Sequence, residues 1–214
     1  MKKIIAFDCD STLSAIEGVD ELARLAGDEI FRQVEDLTNQ AMNGEIAIEK
    51  VFGRRLDLIQ PTRQQCEEIG EMYLEHIEPT AKETISALRN LGWDCLIISG
   101  GFAPCIAPLA RALHITRIEA VPLHFHPDGR FAGYDSSYPT TRNGGKPELL
   151  RQLREDEHPE TIVMVGDGVS DLETNSVADH FIGFTRYVAR PQVTTHCDYE
   201  TKELLGILDI LKNW

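Results

Sequence analysis

Three short, largely apolar runs, each followed directly by polar residues, constrain the fold of this chain most strongly. They span residues 4–7, 93–98 and 161–165, and stretches with helical patterns separate them. Apolar runs of this length that alternate with helices are typical of buried strands in a parallel sheet. Because the carboxyl ends of parallel strands meet at one edge of the sheet, the polar residues that follow them should converge there. The sequence therefore predicts an α/β fold with a ligand site at that edge.

The residues at the predicted strand ends are acidic, hydroxyl-bearing or small. They are Asp8 and Asp10 after the first run, Ser99 and Gly100 after the second, and Asp167 and Asp171 after the third. Carboxylates gathered at one point repel each other unless a proton or a cation lies between them. A hard divalent ion with oxygen ligands resolves this, and Mg²⁺ is the usual choice where phosphate is also bound.

Groups suited to phosphate accompany the predicted metal site. Lys146 adds a positive charge at the start of a predicted helix, and Ser99 with the glycines after it supplies a hydroxyl and N–H donors. This combination predicts phosphoryl transfer, in which Asp8 attacks phosphorus to form an aspartyl-phosphate. Asp10 would protonate the leaving alkoxide and then deprotonate the hydrolytic water. Each motif alone is more often a solvated loop or a surface lysine, so the prediction depends on their joint order.

A polar, helical stretch over residues 14–76 separates the first strand from the others. The pattern predicts four helices, over residues 20–26, 28–42, 46–58 and 62–73, with Gly or Pro at the breaks. We interpret this stretch as a helical-bundle cap inserted into a core of residues 1–13 and 77–214. Closure of the cap over the strand ends would exclude water, with hinges near residues 14–16 and 75–79.

Three patterns further along the chain concern local structure. Residues 118–125 and 130–134 predict a small β-hairpin around a Pro-Asp-Gly turn, and residues 201–212 predict a C-terminal helix. Two prolines are expected to interrupt a helix over residues 102–113.

Composition excludes several classes of partner and location. The net charge of −14 argues against nucleic acid and anionic membrane surfaces as partners. No apolar run approaches the roughly 20 residues that a membrane span needs. The first residues do not match a signal peptide, and the five cysteines include no C-x-x-C pair. We expect a cytoplasmic protein that acts on a small molecule as a monomer or a homodimer.

At this point the motifs identify a family resemblance. The segment 7–13 resembles motif I of the haloacid dehalogenase superfamily, D-x-D-x-[TS], and Ser99, Lys146 and residues 166–171 resemble its remaining motifs. Within that superfamily the chain is similar to the phosphoserine phosphatases over nearly its whole length. The more specific matches are residues 17–23, 41–44, 98–102, 144–146 and 178–184, together with Arg55.

The resemblance implies a Rossmann-like core, a parallel sheet flanked by helices, with a helical cap. It implies that Asp8 is the nucleophile and Asp10 the general acid and base. One Mg²⁺ per active site would be held by the Asp8 carboxylate, the Asp10 backbone carbonyl and Asp167, with Asp171 supporting the site. The implied substrate-binding residues are Glu17 for the ammonium, Arg55 for the carboxylate, Ser99, Gly100 and Lys146 for the phosphoryl group, and Met42 and Ser170.

The implied activity is Mg²⁺-dependent hydrolysis of O-phosphoserine to serine and phosphate, in serine biosynthesis. Position 48 is Ile where the family often has Phe, which leaves open another small phosphomonoester or phosphoryl transfer to an alcohol. A third hypothesis is a non-catalytic phospho-acceptor of the receiver type, which also uses an acidic cluster, a hydroxyl and a lysine. Such a module has no need of Asp10 or of a cap.

Overall fold

A computed structural model describes residues 2–42, 46 and 48–212 of the chain. The strands are β1 (Lys3–Phe7), β2 (Trp93–Phe102), β3 (Arg117–Val121), β4 (Leu123–Phe125), β5 (Phe131–Tyr134), β6 (Thr161–Gly166), β7 (His180–Phe184) and β8 (Tyr199–Thr201). The α-helices are α1 (Gly18–Ala26), α2 (Asp28–Met42), α3 (Ile48–Ile59), α4 (Arg63–Glu75), α5 (Ala81–Asn90), α6 (Ala103–Ala112), α7 (Gly145–Glu157), α8 (Val169–Leu172), α9 (Pro191–His196) and α10 (Gly206–Leu211).

Six of the strands form one sheet in the order β3-β2-β1-β6-β7-β8, and every neighbouring pair is parallel. The first strand of the chain lies between β2 and β6, so that Phe7 pairs with Ile97 on one side and Val165 on the other. The carboxyl ends of the three predicted apolar strands are therefore adjacent, as the sequence predicts.

Helices cover both faces of this sheet. Ile5 and Phe7 of β1 point to the face packed against α5, α6 and the first four helices, and neither is exposed to solvent. Ile4 and Ala6 point to the opposite face, where they belong to one buried hydrophobic cluster with Leu150 of α7. Alternation along a strand with both faces buried is the arrangement of a doubly wound α/β core. The predicted Rossmann-like class is confirmed.

The first four helices form the predicted insert between β1 and α5. The second of them, α2, has the bounds that the sequence predicts, and the others differ from prediction by at most two residues at either end. Where the chain enters and leaves the insert, Ser14 and Ile77 form an antiparallel bridge, and the Glu78 N–H donates to the Leu13 carbonyl at 2.9 Å. No helix within the described ranges combines the length and apolarity that crossing a membrane requires.

The predicted hairpin is shorter than expected. Residues 118–121 belong to β3 and pair with β2 in the main sheet, whereas the hairpin consists of β4 and β5 alone. Pro122 separates the two because it has no N–H to continue the pairing. The Pro122 carbonyl still accepts a hydrogen bond from the Asp135 N–H at 3.3 Å, which closes the base of the hairpin.

Two predicted helices also differ from the structure. The C-terminal helix was expected from Thr201, but that residue ends β8 and its hydroxyl donates to the Glu203 carbonyl at 2.7 Å. The helix α6 runs through Pro108 instead of breaking there. Its proline packs on Gly70 of α4, where a Cβ atom would lie 2.6 Å from Pro108 Cγ. This close packing of α4 on α6 stabilises a helix that the sequence pattern alone disfavours.

Candidate active site

The ends of β1, β2 and β6 bring the predicted polar residues to one edge of the sheet. Asp8 follows β1 directly, and its N–H donates to the Val165 carbonyl of β6 at 2.9 Å. Asp167 follows β6, and Ser99 lies in the last part of β2. Parallel pairing of these strands therefore places the three residues side by side.

Three carboxylates form a buried cluster at this edge. Oxygen atoms of Asp8, Asp167 and Asp171 all lie within 4.8 Å of one another. Burial, followed by the adjacent Asp8 carboxylate, raises the pKa of Asp167 to about 8 and that of Asp171 to about 7. Ionised groups held this close are unfavourable without a cation, and an all-oxygen donor set is the one that hard divalent ions prefer. The residues present therefore fit a divalent metal ion.

Lys146 is the buried counterion of this cluster and is 4% exposed. Its Nζ lies 2.9 Å from Asp8 Oδ2 and 2.6 Å from Asp171 Oδ1. Burial alone would lower the pKa of Lys146, but Asp171 and Asp8 raise it above its ordinary value, so the ammonium group stays charged. The other oxygen of Asp8, Oδ1, accepts the Cys9 N–H at 2.7 Å. The nucleophile predicted from the sequence is thus held by fixed donors on both oxygens.

Asp10 is oriented differently from Asp8. Its Oδ1 accepts the Gly18 N–H at 3.1 Å and also the hydroxyl of Tyr73. Burial, with Glu17 and Asp8 nearby, raises the pKa of Asp10 to about 8, although the two hydrogen bonds oppose that shift. The raised pKa favours the protonated form of Asp10, which is the state that a general acid requires.

The segment after Ile98 in β2 offers donors to an anion. Ser99 is 1% exposed, and its Oγ accepts the Gly101 N–H at 3.0 Å. The pairing of β2 with β3 shifts register between Ile98 and Phe102, which frees the backbone around Gly100 from regular sheet pairing. Ser99 and Gly100 consequently border the same cavity as Asp8 and Lys146.

A cavity of about 660 Å³ lies between the sheet edge and the inserted helices. Its lining contains these predicted site residues: Asp8, Asp10, Glu17, Arg55, Ser99, Gly100, Lys146, Asp167 and Ser170. The predicted supporting residue Asp171 is fully buried and lies behind the cavity wall, where it contacts Lys146. Met42 ends α2, but its side chain, like that of Ile48, lies outside the described residues.

Arg55 of α3 faces the cavity from the insert. Its Nε is buried and, among the described residues, has no hydrogen-bond partner. Burial lowers the pKa of Arg55, whereas Asp20, Glu17 and Asp10 raise it. The guanidinium carbon lies over the ring of Phe52, 5.7 Å from its centroid, within the range of a cation–π contact. A buried guanidinium donor without a partner is costly, and a carboxylate ligand would satisfy it.

Glu17 immediately precedes α1 and borders the cavity near Arg55. Its Oε1 accepts the Ser11 hydroxyl at 2.6 Å, which holds the side chain in place. Burial raises the pKa of Glu17, while the Ser11 hydrogen bond opposes the shift. A half-buried carboxylate at this position offers a partner to a ligand ammonium group.

Sequence reasoning missed several cavity residues. Arg190 lies in the loop after β7, the fifth strand of the parallel sheet, and its Nε lies 3.3 Å from Asp167 Oδ2. The signal was available, because polar residues after a strand belong to the same sheet edge. Glu35 and Thr38 of α2 and Tyr187 also line the cavity. Tyr187 lies in the same loop as Arg190 and shares its signal, whereas no comparable sequence signal marked Glu35 and Thr38, since the fold alone brings α2 to this edge.

Comparison with known proteins relates the chain to one group of hydrolases. A family profile described as haloacid dehalogenase-like hydrolase matches residues 2–179. The phosphoserine phosphatase of Bos taurus is 38% identical over 96% of this chain and 92% of its own length. That of Methanocaldococcus jannaschii is 32% identical over 99% of this chain and 98% of its own.

A solved structure supports the same relationship. A substrate-bound phosphoserine phosphatase complex superposes with a TM-score of 0.82 and is 27% identical, covering 98% of both chains. The similarity therefore extends over the sheet, the inserted helices and the hairpin together.

Proposed function

Because the chain belongs to the haloacid dehalogenase-like hydrolases and, within them, to the phosphoserine phosphatases, we propose that it hydrolyses O-phosphoserine to serine and phosphate. The observation that carries this proposal is the cavity itself. Its lining combines the acidic cluster and Lys146 at the sheet edge with Arg55 of the insert and Glu17 at the start of the insert. Phosphoserine has the complementary groups, a phosphate at one end and an amino acid zwitterion at the other.

The acidic cluster would hold one Mg²⁺ through the carboxylates of Asp8 and Asp167 and the backbone carbonyl of Asp10. Asp171 would support the site through Lys146, to which it is bonded. The bound ion would neutralise charge on the nucleophile and on the phosphoryl oxygens. The orientation of Asp10 supports this division, because its side chain is engaged by Gly18 and Tyr73.

In the first half-reaction an Asp8 carboxylate oxygen attacks phosphorus, and the bond from phosphorus to the serine oxygen breaks. Lys146, 2.9 Å from Asp8 Oδ2, fixes the nucleophile and stabilises the phosphoryl charge. The Ser99 hydroxyl and the Gly100 N–H would bind the phosphoryl oxygens. The products are serine and an aspartyl-phosphate at Asp8.

Asp10 would serve both half-reactions. Its raised pKa favours the protonated form, from which it would donate a proton to the departing serine alkoxide. The resulting carboxylate would then accept a proton from the water that attacks the aspartyl-phosphate. Phosphate leaves, and Asp8 and protonated Asp10 are restored.

The groups on the insert would recognise the amino acid portion. Arg55 would bind the substrate carboxylate in bidentate fashion, which the lack of a partner for its Nε within the described part of the chain supports. Glu17 would bind the ammonium group, with Met42 and Ser170 completing the substrate pocket. We propose that residues 14–76 act as a cap over a core of residues 1–13 and 77–214. The five free cysteines support a cytoplasmic location, where serine biosynthesis would use this reaction.

A panel of phosphomonoesters with Mg²⁺, repeated with a chelator, tests this proposal. We expect phosphoserine to have the highest kcat/KM, the chelator to abolish turnover, and Asp8→Asn to be inactive. Asp10→Asn should slow breakdown of the aspartyl-phosphate. Weak activity without preference for phosphoserine would contradict the substrate, and transfer to added amino alcohols would indicate a phosphotransferase. Phosphorylation without repeated release of phosphate would indicate a receiver-type protein.

Phosphoethanolamine, which lacks only the carboxylate of phosphoserine, isolates the role of Arg55. A charge-assisted hydrogen bond contributes about 1.5–3 kcal/mol, so Arg55→Met should reduce the preference for phosphoserine over phosphoethanolamine roughly 10- to 100-fold. The loss should lie mainly in KM. An unchanged preference would show that Arg55 does not bind the substrate carboxylate.

A further inference from the structure

We propose that Tyr73 is a positioning residue for Asp10, whose carboxylate it orients for proton transfer to the leaving oxygen. The inference rests on the proposed acid and base role of Asp10. It adds a residue of the last inserted helix, α4, to the machinery at the end of β1. The contact between these two parts of the chain carries it.

The two oxygens of the Asp10 carboxylate have different surroundings. Oδ1 accepts both the Tyr73 hydroxyl and the Gly18 N–H, the latter at 3.1 Å. Oδ2 faces the end of β2, since a Cβ atom placed on Gly101 would lie 3.4 Å from it. Two donors on one oxygen fix the rotation of the carboxylate. The fixed rotation directs Oδ2 toward the segment proposed to bind the phosphoryl group.

Gly18 provides the space that the Tyr73 hydroxyl occupies. A Cβ atom at position 18 would overlap the hydroxyl and lie 2.9 Å from Tyr73 Cζ. The backbone of Gly18 is helical, so this position does not need the conformational freedom of glycine. It needs a residue without a side chain. Glycine at this position thus allows the Tyr73 hydroxyl and the Gly18 N–H to reach the same oxygen of Asp10.

Tyr73 itself is held rigidly. It is fully buried, and its carbonyl accepts the Ser14 hydroxyl at 3.2 Å. The Ser14 hydroxyl also lies 3.0 Å from the His76 carbonyl, which in addition accepts the Ala15 N–H at 2.9 Å. These bonds join the end of α4 to the segment that leaves the β1 site. A hydroxyl anchored in this way can hold its partner within the tolerance that proton transfer requires.

The substitution Tyr73→Phe removes only the hydroxyl, and the leaving group reports on the consequence. Cleavage of phosphoserine expels an alkoxide that needs a proton, whereas p-nitrophenyl phosphate expels a phenolate that does not. We therefore measure the single-turnover rate of product release with enzyme in excess, for both substrates. Since general acid catalysis contributes about 10²–10⁴-fold, we expect Tyr73→Phe to slow release of serine roughly 10- to 100-fold and that of p-nitrophenolate less than about threefold. KM for phosphoserine should change little.

Tyr138→Phe is the matched control, because the Tyr138 hydroxyl also donates to a carboxylate, Glu119 Oε2, at 2.6 Å but away from the cavity. We expect it to retain wild-type rates on both substrates. Equal losses on both substrates for Tyr73→Phe, or no loss on either, would overturn the proposal. Should that variant fail to fold, Gly18→Ala, which displaces the hydroxyl but keeps the phenol ring, must show the same selective loss.

The test of Tyr73 remains valid even if phosphoserine is not the substrate. If the wild-type enzyme prefers another alkyl phosphate to phosphoserine, the substrate assignment fails. The comparison of leaving groups is then made with that alkyl phosphate. A selective loss for Tyr73→Phe would still support the positioning role, and its absence would still refute it.

Discussion

Substitution of Lys146 by Met should destabilise the metal-free protein far more than substitution of an exposed lysine. The ammonium group of Lys146 is buried and bridges two buried carboxylates, Asp8 and Asp171. Methionine has a similar size but no charge, so both acids lose their counterion. Removing one partner from a buried ion pair typically costs about 3–5 kcal/mol. For a chain of this length each kcal/mol lowers Tm by about 2–4 °C, which gives an expected decrease of roughly 6–20 °C.

Lys212→Met is the matched control. Its ammonium lies 2.6 Å from Asp209, the same distance as that between Lys146 and Asp171, but the two side chains are 70% and 78% exposed. We expect a change in unfolding free energy below about 0.5 kcal/mol. Urea denaturation with a chelator present measures both variants. Equal stability of the two variants would refute the reasoning from burial. So would a double variant, Lys146→Met with Asp171→Asn, that recovers none of the stability lost in Lys146→Met.

Three further predictions concern the same structure. The folded-state pKa values of Asp167, about 8, and Asp171, about 7, are raised by burial above 3.8, so metal-free protein should lose stability as pH rises from about 4 to about 8. Urea midpoints that increase over this range would contradict it. Mg²⁺ should bind with release of protons near neutral pH, which calorimetry in buffers of different ionisation enthalpy detects; binding without proton release would show that the acids are already ionised. Arg186→Met should cost about 1–2 kcal/mol in urea denaturation, because Arg186 Nη1 lies 3.7 Å from the buried Glu78 carboxylate but is itself partly exposed. Wild-type stability would show that Glu78 does not need this partner.

Much of the candidate site was predictable because strand ends determine it. An apolar run that ends in Asp8 and Asp10 can be read directly from the sequence, and parallel pairing then brings Ser99 and Asp167 beside it. The family resemblance added Glu17, just before α1, and Arg55, on α3; no local pattern reveals how these helices approach the sheet. The structure places all of these around one cavity.

The remaining features depend on tertiary contacts. In the sequence pattern Tyr73 is one more apolar position on an amphipathic helix. Its contact with Asp10 follows only from the packing of α4 against Gly18. A helix through Pro108 is disfavoured locally and becomes stable where α6 packs closely on Gly70. The strand ending at Thr201 is three residues long and, among the residues described, pairs with β7 alone, so the sequence indicates it less strongly than the helical pattern that follows.

The central claim is that Asp8 becomes phosphorylated by phosphoserine and is then hydrolysed through Asp10. Acid quenching during turnover of radiolabelled phosphoserine with Mg²⁺, followed by peptide mapping, tests it most directly. We predict label on the peptide that contains Asp8, more label in Asp10→Asn if breakdown is slowed more than formation, and none in Asp8→Asn. Label on another residue, or rapid turnover with no labelled protein at any quench time, would contradict the account.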